Sequence, residues 1–242
     1  MALNSTSKPK TQGAIPPASL HLAVCYSIID LGTQEEQFPG KPMTLAQKVH
    51  YSWELPNLPF VTFDATKGAQ PMALFQEYTV SAGDKAKLPK MLCSWGNMDI
   101  KQLKGITSDF LKKFLGQACM LSVVHTQAKT AVDANTGQPI KYAQIGGNGL
   151  MVMPRMAEIA KPNGTINPIK FLDLDAFDWN VYNSLPSFLQ EKIAKCKEWP
   201  SILAKYPKPV EGTANVGASQ QNPAMQMEQG TGVSNPVGDV SF

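Results

Sequence analysis

This chain predicts a mainly β domain with α, carrying a helical insertion and a C-terminal helix, followed by a disordered tail. Apolar and polar residues alternate through Leu20–Leu31 and Leu45–Leu55, the period of a strand. The period changes to that of a helix between Ser81 and Gly116. Beyond Tyr206 the composition can no longer build a core.

The first strand is LHLAVCYSIIDL, Leu20 to Leu31, where Leu20, Leu22, Val24, Tyr26 and Ile28 fall on one face. Phe38-Pro39-Gly40-Lys41-Pro42 is loop. The second strand, Leu45 to Leu55, puts Val49, Tyr51 and Trp53 on its apolar face and Lys48, His50, Ser52 and Glu54 on its polar face, and Pro56 ends it. Phe60–Phe63 adds a short strand or hairpin, and Phe75–Val80 a third strand. Ala86, Leu88, Met91, Leu92 and Trp95 then share a helical face, with Pro89 tolerated near the first turn. Thr107-Ser108-Asp109 caps a second helix, Phe110–Leu115, which Gly116 stops. Strands return at Ala118–Thr126, Ile140–Ile145 and Leu150–Met153, with a polar loop at Gln127–Pro139 and a glycine interruption at Gly146, Gly147 and Gly149. Leu185–Trp199 is an amphipathic helix that places Phe188, Leu189, Ile193 and Cys196 on one face. Strand, strand, strand, helix, strand, strand is the connectivity of an OB-fold, so an OB-fold-like five-stranded antiparallel barrel is expected. An all-β sandwich is the alternative. The expected organisation is a flexible N-terminal arm over 1–18, the barrel with its helical extension over 19–206, and a disordered tail with a partner-binding tip over 207–242.

Catalytic signatures are absent: no GxxxxGK[ST], GxSxG, HExxH or paired-carboxylate motif occurs, and no enzyme is expected. Cys25, Cys93, Cys119 and Cys196 form no CxxC, and His21, His50 and His125 fall on three separate strands, so neither metal nor cofactor is expected. No stretch approaches the roughly 18 apolar residues of a membrane span. Met1–Pro17 lacks an apolar signal core, which leads to the expectation of a cytoplasmic protein with no membrane partner.

Charge points to an anionic partner. The segment from Pro207 carries Lys208 against Glu211, Glu228 and Asp239, a net −2, and the whole chain is +3, which leaves +5 for the rest. Seven of the lysines lie between residues 84 and 113 against three aspartates. Single-strand binders combine a basic groove with rings on which bases stack. Candidate contacts are therefore Lys48, His50, Lys85, Lys87, Lys90, Trp95, Lys129, Lys141 and Tyr142, with Tyr26, Tyr51, Trp53 and Tyr78 as further rings. The same rings and lysines also fit a packed core with solvated helix faces. Arg155 is the sole arginine, and base-specific readout favours arginine forks, so a binder with little sequence preference is expected.

The tail, a Gly/Gln/Asn/Pro-rich segment closing on Gly238-Asp239-Val240-Ser241-Phe242, resembles the C-terminal tip of bacterial and phage single-stranded DNA-binding proteins. It departs from that pattern in having one acid, Asp239, and Ser241 where proline is common. DLGTQ at Asp30–Gln34, KVHYSWELP at Lys48–Pro56 and LGQACMLSVVH at Leu115–His125 look like a family of phage-encoded single-stranded DNA-binding proteins found among replication and recombination genes. The resemblance spans Leu20 to Trp199. It implies an OB-like binder in the cytoplasm of an infected bacterium, able to self-associate and to recruit replication or recombination proteins through Asp239, Val240 and Phe242. A virion structural or decoration protein is the alternative function.

Overall fold

A computed structural model describes residues 11–37, 39–62, 66, 68–81, 86–103, 105–151 and 165–209, the side chains of 102 and 147–151 excepted. Lys85 and residues 210–242, which hold most of the expected tail and its tip residues Asp239, Val240 and Phe242, lie outside the described residues. The strands are β1 (Leu20–Glu36), β2 (Thr44–Glu54), β3 (Ala73–Thr79), β4 (Ala118–Val132), β5 (Pro139–Met151) and β6 (Lys170–Leu172). The helices are α1 (Lys87–Gly96), α2 (Ser108–Lys112), α3 (Trp179–Asn183), α4 (Ser187–Ile193) and α5 (Trp199–Lys205). The fold is mainly β, and no described helix is long and apolar enough to cross a membrane.

β1 organises the sheet. It pairs antiparallel with β2 from Val24↔Glu54 to Glu36↔Thr44, and with β4 from Leu20↔Ser122 to Val24↔Ala118. β3 adds to β2 and β5 to β4, both antiparallel, giving the order β3-β2-β1-β4-β5. β6, which the sequence did not signal, runs parallel to Ser27–Ile29 of β1. The expected OB-fold-like five-stranded barrel is not seen, because the sheet does not close. Among the described residues no ladder joins β3 to β5, and α1 packs against both strands. The result is an open six-stranded sheet with one parallel pair.

The alternation expected in β1 is also altered. Ala23 and Cys25, not Leu22 and Val24, join the first core, and a register shift between Cys25 and Ser27 then lets Ile28 join them. One inserted residue reverses which parity points inward. That core stacks Tyr51 on Trp53, with ring centroids 5.4 Å apart, under Leu88, Met91, Leu92 and Trp95 of α1. Thr107 Oγ1 accepts the Phe110 N–H at 3.2 Å and so starts α2 as expected. All four cysteines are buried free thiols.

The opposite face of β1 carries a second core. Ile29 and Leu31 pack with Leu172, Phe177, Tyr182, Leu189, Ile193 and Ile202. The single helix expected over Leu185–Trp199 is here α4 and the start of α5, separated by Ala194–Glu198. The break has a use: Glu198 accepts Thr33 N–H at 2.8 Å and the Thr33 hydroxyl at 2.5 Å, and Lys197 N–H donates to Thr33 O at 3.1 Å. Gly32 allows this approach. Its φ is +66°, and a Cβ there would meet Glu198 Oε2 at 2.7 Å and Cys196 Cβ and Leu174 Cδ1 at 2.8 Å.

Asp30 sits beside this junction and accepts the Gly32 N–H at 2.9 Å. Burial pushes its carboxyl up from 3.8 to about 6, aided by Asp173, Glu198 and Asp175 and opposed by the Gly32 hydrogen bond. A raised folded value means that the acid's contribution to stability is fully present below the unfolded value and is lost as the pH rises through the folded one. Asp30→Asn keeps the acceptor and removes the charge. Its melting temperature should exceed the wild type's at about pH 7.5, by a margin that shrinks as the pH falls through about 6 toward 4. Thermal melts of both proteins across that interval check this, and a margin independent of pH would contradict it.

Candidate functional site

The residues singled out by the sequence separate into two sets. Lys48, His50 and Trp95 are engaged inside the fold, whereas Lys87, Lys90, Lys129, Lys141 and Tyr142 face solvent.

The first set corrects the expectation of an open polar face on β2. Lys48 is paired with Glu36 at 2.6 Å and donates to the Thr79 hydroxyl at 2.7 Å, leaving its side chain 13% exposed. His50 is 2% exposed. Its ring stacks on Phe75 at 5.4 Å, and Ser52 Oγ lies 3.2 Å from its Nε2. Glu54, two residues past Ser52 on the same face, is 1% exposed and takes hydrogen bonds from Ile166 N–H and Asn167 N–H, both at 2.9 Å, and from the Asn167 amide at 2.6 Å. The residues after 164 and helix α4 therefore cover the face that the alternation had left for solvent. A buried carboxylate is tolerated here because three N–H groups satisfy it.

Glu77 lies between this face and α4. It is ion-paired with Lys192 and stands 3.9 Å from His50 Nδ1, and the nearness of these two nitrogens, His50's first, holds its carboxyl down to about 2. Trp95 is no stacking platform. Its indole N–H donates to Ala118 O at 3.0 Å, its ring packs on Phe114 at 4.8 Å, and it is 8% exposed. Tyr51, Trp53 and Tyr78 are core residues as well.

The second set is concentrated on the β4–β5 hairpin. Beyond Ser122, β4 leaves β1 and pairs only with β5 among the described strands. Lys141 is opposite Gln127 and Tyr142 opposite Thr126, and Lys129 lies on β4 within the register shift between Gln127 and Val132. Consecutive strand residues point to opposite faces, so Lys141 and Tyr142 present a cation on one side of the ribbon and a ring, 45% exposed, on the other. The turn is rigid. Asp133 Oδ1 accepts from Asn135 N–H and Thr136 N–H, each at 2.8 Å, and its carboxyl is held below the usual range by the Gln12 N–H first and by these turn donors. Gln12 also clamps the backbone of Lys141, its side-chain oxygen accepting Lys141 N–H at 2.7 Å and its amide donating to Lys141 O at 3.1 Å. Residues 11–18, read from sequence as part of a flexible arm, thus carry hydrogen bonds to the hairpin, with Pro16 O 2.7 Å from His125 Nε2.

Lys87 and Lys90 lie apart from the hairpin on α1. Lys87 lines an open groove of about 470 Å³ with Gln76, Glu77, Tyr78 and Thr79. Four consecutive strand residues line it, so it follows the edge of β3 rather than one face. Sequence reasoning missed the most exposed rings. Phe75 is 64% exposed, and Phe188, expected on the buried helical face, is 50% exposed. The three histidines do not converge, and no group of three or more His, Cys, Asp or Glu among the described residues is placed to hold a metal.

No family model, curated protein or solved structure matches the chain.

Trp95 tests the division between core and surface. Trp95→Ala should cost about 3–5 kcal/mol of stability, as for other buried aromatic truncations, whereas Lys90→Ala should leave stability within about 0.5 kcal/mol. Denaturant titration checks both, and near-wild-type stability of Trp95→Ala would contradict the packing.

Proposed function

We propose that this chain binds single-stranded DNA with little sequence preference, during replication or recombination, and recruits partner proteins through Asp239, Val240 and Phe242. The observation that supports it best is the outer part of the β4–β5 hairpin, which carries Lys129, Lys141 and Tyr142 exposed to solvent. Lysines attract phosphates without reading bases, and an exposed ring offers a face on which any base can stack. The rest of the chain agrees with such a partner: the residues before Pro207 carry a net +5. The strand order β3-β2-β1-β4-β5, with a helix between β3 and β4, is that of an unrolled OB barrel, and an OB-fold left open between β3 and β5 is the proposed relationship.

Fluorescence anisotropy of labelled oligo-dT, beside duplex of equal length and across a salt series, tests the function. Tight binding that prefers the single strand and weakens with salt is expected. Lys129→Ala and Lys141→Ala should each lower the slope of log affinity against log salt by about one. Tyr142→Ala should weaken binding roughly five- to a hundredfold without changing that slope. Absence of binding at low salt, or preference for duplex, would overturn the proposal.

A further inference from the structure

We propose that Gln12 is a positioning residue for the β4–β5 hairpin, holding Lys141 and the turn in the geometry that a single strand meets, a role that rests on the single-strand binding proposed above. The Gln12 side-chain oxygen accepts the Lys141 N–H at 2.7 Å, and its amide donates to Lys141 O at 3.1 Å. In an antiparallel strand the N–H and C=O of one residue point to the same side. Lys141 gives both to Gln12, so both point away from Gln127 of β4, toward the outer edge of β5. The Gln12 carboxamide, a donor beside an acceptor, thus takes the place that a peptide unit of a third strand would take. The Gln12 backbone N–H donates to Asp133 Oδ2, and the other oxygen of that carboxylate holds the turn through Asn135 N–H and Thr136 N–H. One residue therefore ties the turn to the strand that bears Lys141 and Tyr142.

The hairpin needs such a tie. Beyond Ser122 its strands pair only with each other among the described strands, and a two-stranded ribbon is marginally stable by itself. The ladder is also interrupted between Gln127 and Val132, the stretch that contains Lys129. Gln12 spans this interval, bonded at one end to Lys141, opposite Gln127, and at the other to Asp133. The segment behind it is itself fixed. Pro16 is buried, its carbonyl oxygen lies 2.7 Å from His125 Nε2, and Ser19 O accepts the Val123 N–H at 2.8 Å. A hairpin ordered before binding has less conformational freedom to lose when the strand docks, which raises affinity without adding a contact. Gln12 carries no charge, so its contribution neutralises no phosphate and has no salt dependence of its own.

Hydrogen–deuterium exchange of the free full chain, beside oligo-dT anisotropy across a salt series, tests this on the wild type, Gln12→Ala and Gln12→Glu. Gln12→Ala should speed exchange in residues 127–141 and leave β1 and the melting temperature near wild type. It should weaken oligo-dT binding about three- to thirtyfold with an unchanged salt slope. Gln12→Glu keeps an acceptor for the Lys141 N–H but, while ionised, has no donor for Lys141 O. Its deficit should shrink as the pH falls through the carboxyl range, about 4–5, where the protonated acid donates again, whereas the deficit of Gln12→Ala should not. Wild-type affinity in Gln12→Ala, or weakened affinity with hairpin exchange unchanged, would overturn the positioning role and leave single-strand binding standing. A wild type that does not bind oligo-dT would remove the proposed function and this role with it, whatever the exchange of the variants.

Discussion

Burial of β1 on both faces is the constraint on which the rest of the molecule depends. Ala23, Cys25 and Ile28 pack into the first core and Ile29 and Leu31 into the second, and all five are at most 1% exposed. A strand with one apolar face can leave the other to solvent, but a strand apolar on both needs a cover on each side. The sheet and helices α1 and α2 supply one cover, and the chain from residue 165 to Tyr206 supplies the other. The latch between Thr33 and Glu198, made possible by the left-handed backbone at Gly32, fixes where the second cover sits.

That cover decides what surface remains for a ligand. Once α4 and residues 165–169 close over His50, Ser52 and Glu54, the polar side of β2 is interior. Its ionisable groups are spent on structure: Glu54 organises the incoming chain, Glu77 holds Lys192, and Lys48 holds Glu36. What stays open is the outer part of the hairpin around Lys129, Lys141 and Tyr142, the edge of β3 and the rings at the boundary between sheet and helix. The interface proposed for single-stranded DNA lies on these surfaces because the second core has closed the others.

Much of the fold was legible. Alternation located β1, β2 and β3, helical spacing located α1, and Thr107 marked the start of α2, because each depends on contacts between residues near in sequence. The open edge between β3 and β5, β6 and the roof over β2 were not legible, since all three depend on residues distant in sequence, more than a hundred apart for β6 and the roof. Glu54 shows why: in a strand a carboxylate on the polar side reads as solvent-facing, and nothing local reveals that Ile166 and Asn167 will deliver three N–H donors to it. The same limit explains Phe188. Helical spacing put it with Leu189 and Ile193, but the helix is only one turn and three residues long before Ala194, and a short helix can turn one of several apolar residues outward. For the site, sequence correctly left Lys141 and Tyr142 at the surface and misplaced Lys48, His50 and Trp95, whose environments are set by tertiary packing.

The most direct test of this account is hydrogen–deuterium exchange of the full chain with and without saturating oligo-dT. If the nucleic acid lies on the surfaces that the second core leaves open, exchange should slow in the hairpin from 123 to 145 and along β3, and amides of β1 should change little. Slowed exchange confined to residues 165–206, with the hairpin and β3 unchanged, would show that the DNA is held by the covering layer itself and would contradict the account.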